Sequence, residues 1–135
     1  MNELDVLHNA RALIAEPKQW TKRTFKFYST SDRCYCRCLD GALREGAGFQ
    51  ETSLVVAKNA RYGDPDWNDT FEAYEAAVKR VAAAIQEATN NPGQFRVETV
   101  VWAFNDNPDT THGQVLNVLD EAIVAAERQL ADAAS

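Results

Sequence analysis

The sequence predicts a mainly α-helical, compact domain of about five helices, with room for a small two-stranded β element from Thr21 to Ser29. Two long stretches, residues 66–88 and 112–130, repeat apolar residues at the three- and four-residue spacing of a helix. The chain has 135 residues, of which 45% are apolar and 25% are charged. This length and composition fit a single globular domain over residues 1–135.

The first helix should run from about Leu4 to Ala15, because apolar residues recur there at helical spacing and Asn2 can cap it. Pro17 then ends the helix, since its ring and missing N–H do not suit a helix interior. We expect Trp20 to fold back onto the core.

Aromatic and polar side chains alternate from Thr21 to Ser29, which predicts a strand. A lone strand needs a partner, and residues 53–57 are the best candidate for it. Ser31 and Asp32 can cap a second helix that continues through Arg44. The segment 49–63 fits either a strand or a helix.

The third helix should start at Asp64 and Pro65, a cap followed by proline at the first helical position. Residues 97–104 favour a short fourth helix, although their β-branched side chains also fit a buried strand. Thr111 and Gln114 form a capping box at the start of the last helix, and we expect only residues 131–135 to fray. The buried stripe of the third helix would contain Trp67, Phe71, Tyr74, Val78, Val81, Ile85 and Ala88.

The overall charge argues against a nucleic-acid partner. The chain carries 14 Lys and Arg against 20 Asp and Glu, a net charge of −6. Proteins that contact phosphates usually present a basic face. A local basic patch is explained more simply as a solvated surface, and it consists of Lys18, Lys22, Arg23 and Lys26.

The sequence also predicts a cytoplasmic protein without membrane contact or cofactor. No stretch approaches the roughly 18 consecutive apolar residues of a membrane span, and the N-terminus is acidic where a signal peptide is basic. Cys34, Cys36 and Cys38 lie close together, unlike the spaced and paired cysteines of secreted proteins, so we expect reduced thiols.

A metal site is not expected at these cysteines. On the predicted second helix Cys34 and Cys38 would share a face, and His112 would be the third ligand. Cys36 would point away, whereas structural zinc sites usually combine Cys-x-x-Cys turns into four ligands.

The turn from Asn105 to His112 gathers most of the polar side chains capable of binding. Asn, Asp, Pro and Thr commonly form turns and helix caps, so a simple helix connector explains many of them. An aromatic ring, an amide, a carboxylate and an imidazole together exceed what a connector requires. The candidate ligand or partner site therefore contains Trp102, Asn105, Asp106 and His112.

A catalytic site built on Cys38 is the alternative. A cysteine nucleophile needs a histidine base and a group that orients the imidazole, and His112 with either Asn105 or Asp106 supplies these residue types. Cys38, however, would lie about two turns inside the second helix. It would be far from the N-terminal N–H groups that lower a thiol pKa, and Cys38-x-x-Gly41-Ala42 is typical of close helix packing.

Two motifs, at residues 38–43 and 102–116, resemble an uncharacterised bacterial and bacteriophage family, domain-of-unknown-function family 6197. The resemblance implies a compact helical domain and a family signature at residues 105–112, and it implies no activity. The motifs read Cys38-x-x-Gly41-Ala42-Leu43 and Trp102-x-Phe104-Asn105-Asp106-x-Pro108-x-Thr110-Thr111-His112-x-x-Val115-Leu116.

The expected function is a non-enzymatic interaction or accessory module of bacterial or phage origin, with a protein or a small molecule as its partner. The chain has no phosphate-binding loop, no Ser/His/Asp pattern and no redox Cys-x-x-Cys. The alternative is a small cysteine-dependent hydrolase or transferase that uses Cys38 and His112.

Overall fold

The computed structural model describes residues 1–49, 65–90 and 96–134, and this part of the chain contains five α-helices and a two-stranded antiparallel sheet. The mainly helical fold class predicted from the sequence is confirmed. None of the described helices is both long and apolar enough to cross a lipid bilayer. In chain order the elements are α1 (Glu3–Leu13), a 3₁₀ turn (Pro17–Gln19), β1 (Lys26–Ser29), β2 (Cys34–Arg37), α2 (Leu39–Gly46), α3 (Pro65–Thr89), α4 (Val97–Asp106) and α5 (His112–Ala134).

The core lies between α1, α3 and α5, which pack against one another, while α2 covers α1 and α4 covers α3. The apolar stripes predicted for the two long helices face this core over most of their length, and Val81 on α3 and Leu119 on α5 are both fully buried. Ala88, predicted as the last buried residue of the α3 stripe, is exposed because it lies in the last turn of the helix, and the side chain of Trp67 lies outside the described part. Residues 97–104 belong to a helix rather than a strand. The last helix continues beyond the predicted end at Leu130, as far as Ala134.

The helices α1 and α5 start at the predicted capping residues. The Asn2 side chain accepts a hydrogen bond from the Asp5 N–H at the start of α1. At the start of α5, Thr111 Oγ1 accepts from the Gln114 N–H and Gln114 Oε1 accepts from the Thr111 N–H, which confirms the capping box. The predicted cap of α3, Asp64, lies outside the described residues.

The predicted helix from Ser31 to Arg44 is wrong in its first half. Residues 34–37 form β2, which pairs with β1 in the register Phe27↔Cys36, and α2 begins only at Leu39. Ser31 and Asp32 lie in the connecting turn, where Ser29 Oγ accepts from the Asp32 N–H. Short polar side chains bond backbone groups in turns as readily as in caps, and this ambiguity misled the prediction. The segment predicted to pair with β1, residues 53–57, lies outside the described residues.

Two glycines on α2 permit close backbone approaches. A Cβ at Gly46 would lie 2.9 Å from the Val6 carbonyl oxygen, so this glycine brings α2 against α1. A Cβ at Gly41 would lie 2.1 Å from the carbonyl oxygen of Phe25, in the segment that leads into β1. The motif Cys38-x-x-Gly41-Ala42 was predicted to bring two helices together, but it instead brings the first turn of α2 against the backbone of Phe25, before β1.

We predict that Val81→Ala lowers the free energy of unfolding by about 2–3 kcal/mol, because two buried methyl groups are lost and a cavity remains. Urea denaturation measures the change. Val124→Ala on α5 is the matched control, since Val124 is 44% exposed and its truncation should cost less than about 0.5 kcal/mol. Equal losses for the two variants would show that the core is placed wrongly.

Candidate functional site

Asn105, on the last turn of α4, connects three parts of the chain through a buried amide. Its Oδ1 accepts hydrogen bonds from Trp20 Nε1 at 2.7 Å and from the Leu39 N–H at 3.0 Å. Its Nδ2 donates to the Thr21 carbonyl oxygen and to Asp106 Oδ1, both at 3.1 Å. The amide thus uses its two acceptor and two donor positions, and it fixes α4 against the start of α2 and the segment before β1.

Trp102, one turn earlier on α4, is held by a buried carboxylate. Asp40 on α2 accepts hydrogen bonds from Trp102 Nε1 and from the Tyr74 hydroxyl, each at 2.6 Å, and forms an ion pair with Arg44 at 3.0 Å. Burial and the neighbouring Asp40 carboxylate raise the pKa of Tyr74, so its hydroxyl remains a donor. The indole is 41% exposed while its orientation is fixed.

Asp106 fixes an unusual backbone turn in front of β1. Its Oδ1 accepts a hydrogen bond from the Arg23 N–H at 2.8 Å. Arg23 has φ = +67°, in the left-handed region that residues with a Cβ adopt only at an energetic cost. The carboxylate therefore stabilises a strained turn that places Arg23 beside α4.

These elements line an open pocket of about 310 Å³ whose surface is mostly apolar. Two aromatic rings form its walls: Phe25 and Trp102 meet edge to face, with centroids 6.4 Å apart. The guanidinium of Arg44 lies 4.1 Å from the centre of the Phe25 ring and supports it from α2. The lining residues are Arg23, Thr24 and Phe25 before β1, Cys38 before α2, and Trp102, Asn105 and Asp106 on α4.

Cys38 lies at the N-cap of α2, not inside a helix as predicted. Its Sγ accepts a hydrogen bond from the Gly41 N–H at 3.2 Å. Burial nevertheless raises the pKa of Cys38 to about 11, outweighing the helix N–H groups. At neutral pH the side chain is therefore a protonated thiol, and it gives the pocket an uncharged, weakly polar surface at this point.

His112 is the one predicted site residue that does not line the pocket. Its Nε2 donates a hydrogen bond to the Ile14 carbonyl oxygen at the end of α1, at 2.7 Å. Its ring packs against Trp20, with centroids 6.0 Å apart. Trp20 in turn bonds Asn105, so His112 supports the pocket from behind and ties α5 to α1.

The other two cysteines lie on β2 rather than on a helix face with Cys38. Cys36 is buried and Cys34 is half-buried, and all three thiols are unpaired. Among the side chains that the structure describes, which leave out those of residues 50–68, 91–95 and 135, no three His, Cys, Asp or Glu come together as a metal-binding group.

Sequence reasoning identified Trp102, Asn105 and Asp106, which the structure brings together, and missed Asp40, Arg23 and Phe25. Asp40 was predicted to lie inside a longer helix, where charged side chains usually face solvent, so nothing in the sequence distinguished it. Arg23 occupies a backbone conformation usually given to glycine or asparagine, so the sequence carried no turn signal there.

Comparison with known proteins places the site within one family. No curated protein and no solved structure matches the chain. The Family of unknown function (DUF6197) matches residues 1–125, a range that contains every residue lining the pocket. With most of its length matched, the chain belongs to this family of unknown function, DUF6197.

Proposed function

We propose that this protein is a non-enzymatic binding module whose ligand site is the pocket between α4 and the segment before β1. The observation that carries the proposal is the pocket itself, an apolar volume whose walls are fixed by hydrogen bonds to Asn105 and Asp40. A site fixed before the ligand arrives loses less conformational entropy on binding. Its volume of about 310 Å³ lies at the small end of ligand pockets, which favours a small molecule over a protein surface.

The polar groups around the pocket favour binding over catalysis. Two of the first three N–H groups of α2 are already bonded: Leu39 donates to Asn105, and Gly41 donates to Cys38. They are therefore not available to stabilise an oxyanion beside the thiol. His112 bonds Ile14 and does not line the pocket, so the hydrolase alternative lacks its histidine base there.

Binding of toluene, a neutral apolar probe, tests the proposal. In ¹H–¹⁵N spectra we expect toluene to shift the Trp102 Nε1–H signal and the backbone signals of Cys38 and Asn105. Thr24→Trp, which places a bulky ring in the pocket, should abolish these shifts. Thr30→Trp should retain them, because Thr30 is also an exposed threonine, lies in the hairpin turn and does not line the pocket. Shifts that avoid these three residues would refute the proposal.

A reactivity measurement tests the cysteine-hydrolase alternative. With a pKa of about 11, Cys38 is roughly one part in 10⁴ thiolate at pH 7, so alkylation by iodoacetamide should be slow. The raised pKa also means that the rate should increase about tenfold per pH unit from pH 7 to pH 10. Mass spectrometry of the modified peptides provides the rates, with half-buried Cys34 as the internal comparison. Fast, pH-independent alkylation of Cys38 near neutrality would favour the enzyme instead.

A further inference from the structure

The pocket is lined by two charged residues of opposite sign that are not paired with each other. Arg23 and Asp106 both line it, yet no ion pair within 4.0 Å joins the guanidinium to the carboxylate. Among the described residues the Arg23 guanidinium has no hydrogen-bond partner. Asp106 uses Oδ1 for Arg23 N–H and Asn105, which leaves Oδ2 available. An apolar pocket with a separate cation and anion is complementary to a ligand that carries both charges.

We propose that the pocket binds a free α-amino acid with an apolar side chain. This inference rests on the proposed function and names its ligand class. Arg23 would hold the α-carboxylate, Asp106 would hold the α-ammonium group, and the side chain would occupy the apolar volume. Charge-assisted hydrogen bonds to guanidinium and carboxylate groups are the usual means of recognising these two groups.

The strained turn at Arg23 supports this assignment. A residue with a Cβ at φ = +67° persists only where its surroundings impose the conformation, and such residues are frequent at binding sites. Here the surrounding group is Asp106, whose carboxylate accepts the Arg23 N–H. The residue proposed to bind the ammonium group therefore also fixes the backbone of the residue proposed to bind the carboxylate.

The apolar walls favour an aromatic or branched side chain. Phe25 and Trp102 already meet edge to face, and a ligand ring can extend that arrangement. Cys38 contributes a neutral sulfur, which makes favourable contacts with aromatic rings. The modest volume fits one amino acid and excludes a folded peptide segment.

Isothermal titration calorimetry with four related compounds tests the inference. L-Phenylalanine carries both charges, L-phenylalaninamide only the cation, N-acetyl-L-phenylalanine only the anion, and toluene neither. We expect L-phenylalanine to bind at least about tenfold more tightly than either derivative, since each loses a charge-assisted hydrogen bond.

Charge-removing variants assign each contact. Arg23→Gln should weaken L-phenylalanine and N-acetyl-L-phenylalanine about tenfold and leave L-phenylalaninamide unchanged. Asp106→Asn keeps an oxygen that accepts the Arg23 N–H, and it should weaken L-phenylalanine and L-phenylalaninamide alone. Arg33→Gln and Asp109→Asn are matched controls, because Arg33 also has a positive φ and neither residue lines the pocket; both should leave all affinities unchanged.

The outcomes separate this inference from the function on which it rests. Toluene binding with the affinity of L-phenylalanine would keep the pocket as a binding site and overturn the amino-acid assignment. Equal affinity for L-phenylalanine and one singly charged derivative would also overturn it, because the ligand would then be the N-terminus or the C-terminus of a peptide rather than a free amino acid. Failure of all four compounds to bind would overturn both proposals.

Discussion

Replacing Asn105 with alanine is expected to lower the free energy of unfolding by about 3–5 kcal/mol. The substitution removes one side chain and leaves the indole N–H of Trp20, the Leu39 N–H and the Thr21 carbonyl without their partners. Each buried polar group that loses its partner costs about 1–3 kcal/mol, and water can reach only part of this site. Urea denaturation monitored by circular dichroism measures the loss.

Asn107→Ala is the matched control for this prediction. Asn107 lies two residues later, is exposed, and its Oδ1 accepts a single hydrogen bond from the Asp109 N–H. Its loss should cost less than about 1 kcal/mol. If Asn105→Ala destabilised the protein no more than Asn107→Ala, the buried amide would not fix α4 to the N-terminal segment.

Gly41→Ala is expected to lower the free energy of unfolding by about 3 kcal/mol. The new Cβ would lie 2.1 Å from the Phe25 carbonyl oxygen and 2.9 Å from its carbonyl carbon, and both atoms belong to the backbone. The same carbonyl accepts the Cys38 N–H, so relief of the clash must separate α2 from the segment before β1. Overpacking of this kind typically costs 1–3 kcal/mol, and a backbone neighbour places the case at the upper end.

Gly113→Ala serves as the control and is expected to raise the free energy of unfolding rather than lower it. Gly113 lies in the first turn of α5, where a Cβ would meet only Thr111 Oγ1 at 3.9 Å. Alanine there should stabilise the protein by about 0.5–1 kcal/mol, because it restricts the unfolded chain without a clash. Thermal melts of the two variants should therefore move in opposite directions, and a rise in Tm for Gly41→Ala would contradict the packing.

The sequence predicted the helices well because their signals are local. The periodic stripes on α3 and α5 and the caps at Asn2 and Thr111 each depend on residues within a few turns of one another. The strand predicted from Thr21 to Ser29 contains β1, but the second strand of the hairpin was missed. Its turn contains Arg33 with φ = +55°, a left-handed conformation that an arginine in the sequence does not predict. Ser31 and Asp32 fit a helix cap as well as a turn.

Half of the candidate site could be predicted, and the other half depended on tertiary contacts. Trp102, Asn105 and Asp106 stood out because their residue types exceed what a helix connector needs. Arg23 and Phe25 line the same pocket from about 80 residues earlier in the sequence, and a single sequence contains no signal for that pairing. His112 was placed in the site because nothing in the sequence showed that its ring bonds the Ile14 carbonyl at the end of α1, a contact between residues 98 positions apart.

The hydrogen bonds between α4 and the N-terminal part of the chain have a consequence for how the protein folds. The bonds from Trp102, Asn105 and Asp106 to earlier elements join residues 62 to 85 positions apart. Closing such long loops is entropically costly, and contacts of high sequence separation form late in folding. During synthesis no pocket can exist until residue 106 has left the ribosome. A ligand therefore binds only the completed fold, and it prolongs the lifetime of the native state without accelerating its formation.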